Sequence, residues 1–161
     1  MLSQQILNSK EIKKLLLQLN EQFGEFSLEG FAILKNNEDK YFLISRKLGD
    51  LPTENIRVNN LGMYFCKQEK DGLRLSIEGA QFIKPTKNIL ELDKPQSISW
   101  MRGEDVEIRE TKLEGYVILR FGKDILGCGK LKDGKIFNSV SKPRRVIGNI
   151  SEDKADIRTI R

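Results

Sequence analysis

Histidine is absent from all 161 residues. That removes imidazole acid/base catalysis, the Ser-His-Asp and Cys-His nucleophile arrangements, and every zinc site that needs a histidine ligand. Cysteine is scarce too. Cys66 and Cys128 stand sixty-two residues apart, too few for an all-thiolate zinc site, and are expected as reduced, buried thiols. No apolar run approaches the roughly 20 residues of a membrane span. The N-terminal Met1-Leu2-Ser3-Gln4-Gln5 has no basic region leading into an apolar core. A cytoplasmic protein that meets no membrane is the expectation, and Asn149-Ile150-Ser151 is then a chance glycosylation match. No repeat of about 20–50 residues and no low-complexity segment is present.

What is there suffices for one ordinary domain or two small ones. Eight Phe and 39% hydrophobic residues supply a core, while 32% charged residues require a heavily solvated surface. The charge is unevenly placed. Residues 112–147 hold nine Lys/Arg against three Asp/Glu, residues 1–111 sixteen against seventeen, and residues 148–161 three against three. The net +5 is therefore made in one window, which marks a face able to hold anions.

That window alternates apolar and polar residues over 116–121 and 125–132, with a third short run over 135–140. Gly122-Lys123-Asp124 and Asp133-Gly134 punctuate the runs, the second being a tight-hairpin signal. An antiparallel meander is predicted, ending in the cationic Lys142-Pro143-Arg144-Arg145. Earlier in the chain, residues 8–23 predict a helix. Asn8 and Glu11 have capping-box spacing, Ile12, Leu15, Leu16, Leu19 and Phe23 form an apolar stripe, and Gly24 is placed for a left-handed C-cap. Lys10, Lys13 and Lys14 on that helix read as a solvated face.

Residues 30–35 and 41–47 predict a hairpin, Gly49-Asp50-Leu51-Pro52 a break, and residues 58–67 a further extended run. Asp71-Gly72 predicts a turn, and residues 75–83, with Ser76 as a cap, predict a short helix in preference to a strand, with Gly79 weakening it. Lys84-Pro85-Thr86 is the preferred domain boundary. Residues 89–92 predict a short strand, and residues 95–101 a helix that turns Trp100 and Met101 inward. Residues 150–161 fit either a terminal helix or an edge tail.

Gly122 and Gly127 are spaced like the glycines of a phosphate-binding loop, but Cys128-Gly129-Lys130 continues a strand where Lys-Ser/Thr should open a helix. Gly127 and Gly129 read instead as sites of a bulge or close backbone approach. Glu104, Asp105, Glu107 and Glu110 read as a solvated acidic edge rather than a cation site. Cys128 has no visible base and reads as a buried thiol. The basic residues carry more. Arg120, Lys130, Lys132 and Lys135 fall on successive strands, Lys130 and Lys132 on one face, with Tyr116, Phe121 and Phe137 interleaved. Lys142, Arg144 and Arg145 follow on a backbone stiffened by Pro143, with side chains expected exposed and suited to phosphate.

Gly115-Tyr116-Val117-Ile118-Leu119-Arg120, Ile125-Leu126-Gly127-Cys128-Gly129-Lys130 and Lys142-Pro143-Arg144-Arg145 together resemble a PUA-type RNA-binding domain. The similarity is to the C-terminal PUA-like module of the NOL/NOP/Sun (fmu) rRNA cytosine methyltransferases, and Trp100-Met101-Arg102-Gly103-Glu104-Asp105 resembles the segment before that module. Residues 1–84 resemble the small α/β domains that precede PUA domains in ribosome-assembly factors. The whole chain is similar to the archaeal-type, stand-alone ribosome-biogenesis protein of that family. No Pro-Cys nucleophile motif surrounds either cysteine, and no Rossmann glycine fingerprint follows a strand.

The resemblance implies an α+β protein with a small N-terminal α/β unit (1–84) and a C-terminal PUA-like antiparallel β-barrel (85–161). It further implies binding of structured RNA, rRNA or a pre-ribosomal particle, without catalysis, cofactor or metal. Arg120, Lys130, Lys132, Lys135, Lys142, Arg144 and Arg145 are the expected RNA contacts. The alternatives are an adaptor that recruits a separate rRNA-modifying methyltransferase, and an RNA-modifying enzyme with unrecognised chemistry.

Overall fold

A computed structural model of the chain describes residues 4–50 and 61–148. It divides into two units, Met1–Asn88 and Ile89–Arg161. The sequence boundary at Lys84-Pro85-Thr86 falls a few residues short of this division. The reason is hydrogen bonding: Thr86 N donates to Phe23 O (2.8 Å) and Asn88 Nδ2 to Gln22 O (2.5 Å), tying the segment to the first unit.

The first unit is a meander on which two helices pack. Strands β1 (Gln4–Ile6), β2 (Phe31–Asn36), β3 (Lys40–Ser45), β4 (Met63–Glu69) and β5 (Gly72–Leu75) follow one another in space as in sequence, every pair antiparallel. Helix α1 (Ser9–Phe23) starts where the capping box put it. Asn8 Oδ1 accepts from Glu11 N at 3.0 Å and Glu11 Oε2 from Asn8 N at 2.8 Å. Its stripe buries Leu15, Leu19 and Phe23 while Leu17 stays exposed, and full burial stabilises by ~1.5–3 kcal/mol for each such side chain. Gly24 departs from expectation. Its φ of 99° and ψ of 170° are not the left-handed helical cap, because the chain leaves α1 extended and Thr86 occupies the space a Cβ would need.

Helix α2 (Ile77–Ile83) is capped by Ser76, whose Oγ accepts from Gly79 N at 2.9 Å. Gly79 is there for proximity rather than at the helix's expense. A Cβ on it would strike the Phe65 carbonyl, so the residue lets α2 lie against β4.

In the second unit the order is β6 (Ile89–Glu91), α3 (Lys94–Met101), β7 (Val106–Glu107), β8 (Gly115–Phe121), β9 (Asp124–Lys132) and β10 (Lys135–Phe137). The sheet runs β6-β8-β9-β10-β7, antiparallel except where β6 joins β8. One face of β8–β10 builds the core. Val117, Leu119, Leu126, Leu131 and Ile136 surround Trp100, whose Nε1 donates to Leu126 O at 3.0 Å. Met101 is only partly buried. Gly129 permits close approach, but of side chains: a Cβ there would lie 2.5 Å from Ile136 Cγ2 and 2.9 Å from Trp100 Cη2. Gly127 sits opposite Leu119, beside the register shift between Leu119 and Arg120, as a bulge requires.

The architecture is α+β, as expected. The short β1 and β5 were not read from sequence, and the run over 135–140 stops as a strand at Phe137. Both cysteines are buried and unbridged. No helix among the described residues is long and apolar enough to cross a membrane. Pro52, the sequon at Asn149 and the tail over 150–161 lie outside the described residues.

Candidate nucleic-acid interface

The turn between β9 and β10 sets the geometry of the basic window. Asp133 and Gly134 both take positive φ (51° and 73°), the backbone of a two-residue hairpin turn that agrees with strand twist. The register follows: Lys132 faces Lys135, Leu131 faces Ile136, and Lys130 faces Phe137. On the other side Lys130 faces Tyr116 of β8. Side chains alternate across a strand, and Leu131 and Ile136 point into the core. Lys130, Lys132, Lys135 and Phe137 therefore share the opposite face.

Of the seven predicted contacts, the structure brings these three lysines together. Lys132 is exposed; Lys130 and Lys135 are half-buried. The Lys130 ammonium lies 5.9 Å from the centre of the Tyr116 ring, a cation–π distance that holds the long side chain along the sheet. Glu107 of β7 is the register partner of Lys135 and brings one carboxylate to the rim of the patch.

Arg120 does not join them. Its Nε donates to Glu91 Oε2 at 2.8 Å, and Glu91 Oε1 accepts from Gly122 N at 2.6 Å. The Arg120 guanidinium beside it holds the Glu91 carboxyl below its ordinary range; burial opposes this, and the Gly122 amide adds a lesser lowering. The pair joins β6 to β8 and holds Arg120 apart from the three lysines.

The terminal cluster splits in the same way. Residues Lys142–Arg144 form a single 3-10 turn, with Lys142 and Arg144 exposed. Arg145 is half-buried, against the expectation of a free side chain. Its Nε donates to Val140 O at 3.1 Å, and its guanidinium lies over Gly103, where a Cβ would collide with it. Val146 N then donates to Met101 O at 2.9 Å, which fixes the cluster beside the C-terminal end of α3. That is the helix end where positive charge is stabilised.

The aromatic residues also sort out. Tyr116 is buried, Phe121 packs on the core, and Phe137 keeps 45% of its surface exposed. Phe137 stands in register with Lys130, a pairing that the Asp133-Gly134 turn dictates. The acidic edge has a structural use. Asp105 Oδ1 accepts from Asn138 N at 2.8 Å, and Asn138 Nδ2 donates to Trp100 O and Glu104 O at 2.8 and 2.9 Å. Among the described residues, no group of three or more acidic or thiol side chains converges on a metal position.

A mostly antiparallel five-stranded sheet with a short helix whose Trp100 fills the core is the architecture of this unit, and its likeness is to PUA domains, a class that generally binds RNA. Residues 87–146 match the family described as the methyltransferase RsmF PUA domain. The chain is 26% identical over 141 residues to the ribosomal RNA small subunit methyltransferase F of Vibrio cholerae serotype O1, covering 86% of the chain and 29% of the relative. With the Aeromonas salmonicida protein of the same name it shares 26% over 143 residues, covering 88% and 29%. The chain thus spans under a third of the length of these relatives. Both alignments are longer than the second unit and so run into the first.

Among solved structures, a conserved PUA domain protein from Thermoplasma acidophilum superposes with a TM-score of 0.60 at 12% identity, over 89% of this chain and 98% of that one. A PUA domain from Aeropyrum pernix K1, a tartrate complex, gives 0.52 at 14% identity, over 81% and 72%. At such identities the likeness is one of fold.

Proposed function

We propose that the chain binds structured RNA, of ribosomal origin, during ribosome assembly or rRNA modification in the cytoplasm, and carries out no chemistry itself. The observation that carries this is the gathering of Lys130, Lys132 and Lys135 on one face of a PUA sheet, away from the core. Lys142 and Arg144 add exposed cations on a rigid turn. The ribosomal setting rests on the two ribosomal RNA methyltransferases to which the chain is similar. Cations of this kind contact phosphate, and phosphate contacts supply affinity and position rather than sequence choice.

Salt titration tests the reading. If these five side chains each neutralise one phosphate, log affinity for an rRNA fragment falls against log salt with a slope of about −3.5 to −4.5. A slope near zero in a filter-binding titration refutes it.

A further inference from the structure

We propose that Phe137 is a stacking platform for one unpaired base, with Lys130, Lys132 and Lys135 holding the phosphates on either side of it. This rests on the RNA-binding reading above and names the class of RNA: a loop, bulge or single-stranded end rather than a continuous duplex.

Three observations converge on it. Phe137 exposes 45% of its surface although its neighbour Ile136 is fully buried, so the strand turns one large ring outward to water. The ring stands on the lysine face: Lys130 is its cross-strand partner, Lys135 lies two residues before it, and Lys132 is the partner of Lys135. An apolar ring on a strand face that also carries three lysines is complementary to a nucleotide, which joins a flat π-face to an anionic backbone. It is poorly matched to an apolar protein surface, against which the lysines would lose their hydration.

The third observation is rigidity. Immediately after Phe137, Asn138 uses its backbone amide and both amide-side-chain ends at once. It donates to Asp105 Oδ1, Trp100 O and Glu104 O, and its Oδ1 accepts from Val140 N at 2.8 Å. Strand pairing holds Phe137 from one side and this clamp holds it from the other. A pre-set aromatic face loses little freedom when a base lands on it. Bases within a duplex present only edges, so a ring of this kind selects a base that is already unpaired.

The test compares the full chain with Phe137→Ala, Phe137→Trp and Lys132→Ala/Lys135→Ala at one fixed salt. The probes are an rRNA-derived hairpin with an unpaired loop and a blunt duplex of equal length, the loop carrying a fluorescent base analogue. Phe137→Ala should weaken binding to the hairpin about tenfold and abolish quenching of the analogue, with duplex binding unchanged. Phe137→Trp should keep both affinity and quenching, and the double lysine variant should weaken both RNAs. If Phe137→Ala matches the parent on the hairpin while the lysine variant is weakened, stacking is refuted and the RNA reading stands. If Phe137→Ala weakens hairpin and duplex alike, the ring does not select an unpaired base. If the parent chain binds neither RNA, the RNA reading itself falls, and the Phe137 face belongs to a protein partner.

Discussion

Arg145 is the residue whose replacement separates charge from architecture. Its Nε–H···O bond to Val140 closes over a carbonyl whose residue is only 2% exposed. Truncation to Ala removes a charge-assisted hydrogen bond and leaves that acceptor without its partner. Bonds of this type contribute ~1.5–3 kcal/mol when buried. Arg145 is half-buried, so about 1–2 kcal/mol is the reasonable loss. For a chain of this size that lowers the melting temperature by roughly 2–8 °C. Lys142→Ala/Arg144→Ala should leave melting almost unchanged, since exposed substitutions stay within about 0.5 kcal/mol each. It should cost RNA affinity about 30-fold if each contact is worth ~1 kcal/mol. Arg145→Lys keeps the charge but cannot reproduce the Nε bond; its stability should fall while its affinity stays near that of the parent. Lys10→Ala/Lys13→Ala/Lys14→Ala on the exposed face of α1 is the control of like charge, and its affinity should barely change. Scanning fluorimetry and fluorescence anisotropy at one salt read both quantities. An Arg145→Ala protein that melts with the parent and loses affinity as the 142/144 pair does would refute the buttress and restore Arg145 as a phosphate contact.

Gly129→Ala should destabilise the second unit by about 1–3 kcal/mol in urea unfolding, because the new methyl must displace Ile136 or the Trp100 ring. A stability equal to the parent's would mean that the core yields there without strain. Glu91→Gln should flatten the acid limb of a melting-temperature profile. The Glu91 carboxyl is held below its ordinary range, so its contribution is present above that range and lost as pH falls through the lowered value. Parallel profiles for parent and variant would count against the Arg120 clasp.

Local rules made much of the fold legible. The capping box at Asn8 and Glu11, the Ser76 cap and the alternation on β8 and β9 are signals carried within a few residues, and each element formed where its signal lay. The elements that escaped depend on partners distant in sequence. β1 is three residues long and exists because Gln4, Gln5 and Ile6 pair with Asn36, Lys35 and Leu34. Helix rules alone do not account for Gly79 and Gly24: what places them is the nearness of Phe65 and Thr86, which no local pattern reports.

The site divides along the same line, because its cations differ in what holds them. Sign and clustering are sequence properties; availability is not. Arg120 and Arg145 contribute to the +6 of the basic window as fully as Lys132 does, yet Glu91 engages one and Val140 O the other. Glu91 lies twenty-nine residues from Arg120, and only the parallel pairing of β6 with β8 makes them neighbours. The lysines are gathered because the core chose their side of the sheet. Once Leu131 and Ile136 are buried, Lys130, Lys132 and Lys135 must face the other way, and the two-residue turn at Asp133-Gly134 obliges Phe137 to go with them. Slipping the hairpin by one residue would bury lysine and expose leucine, so the register that stabilises the core is the one that assembles the cationic face. The face is therefore as well specified as the core beneath it.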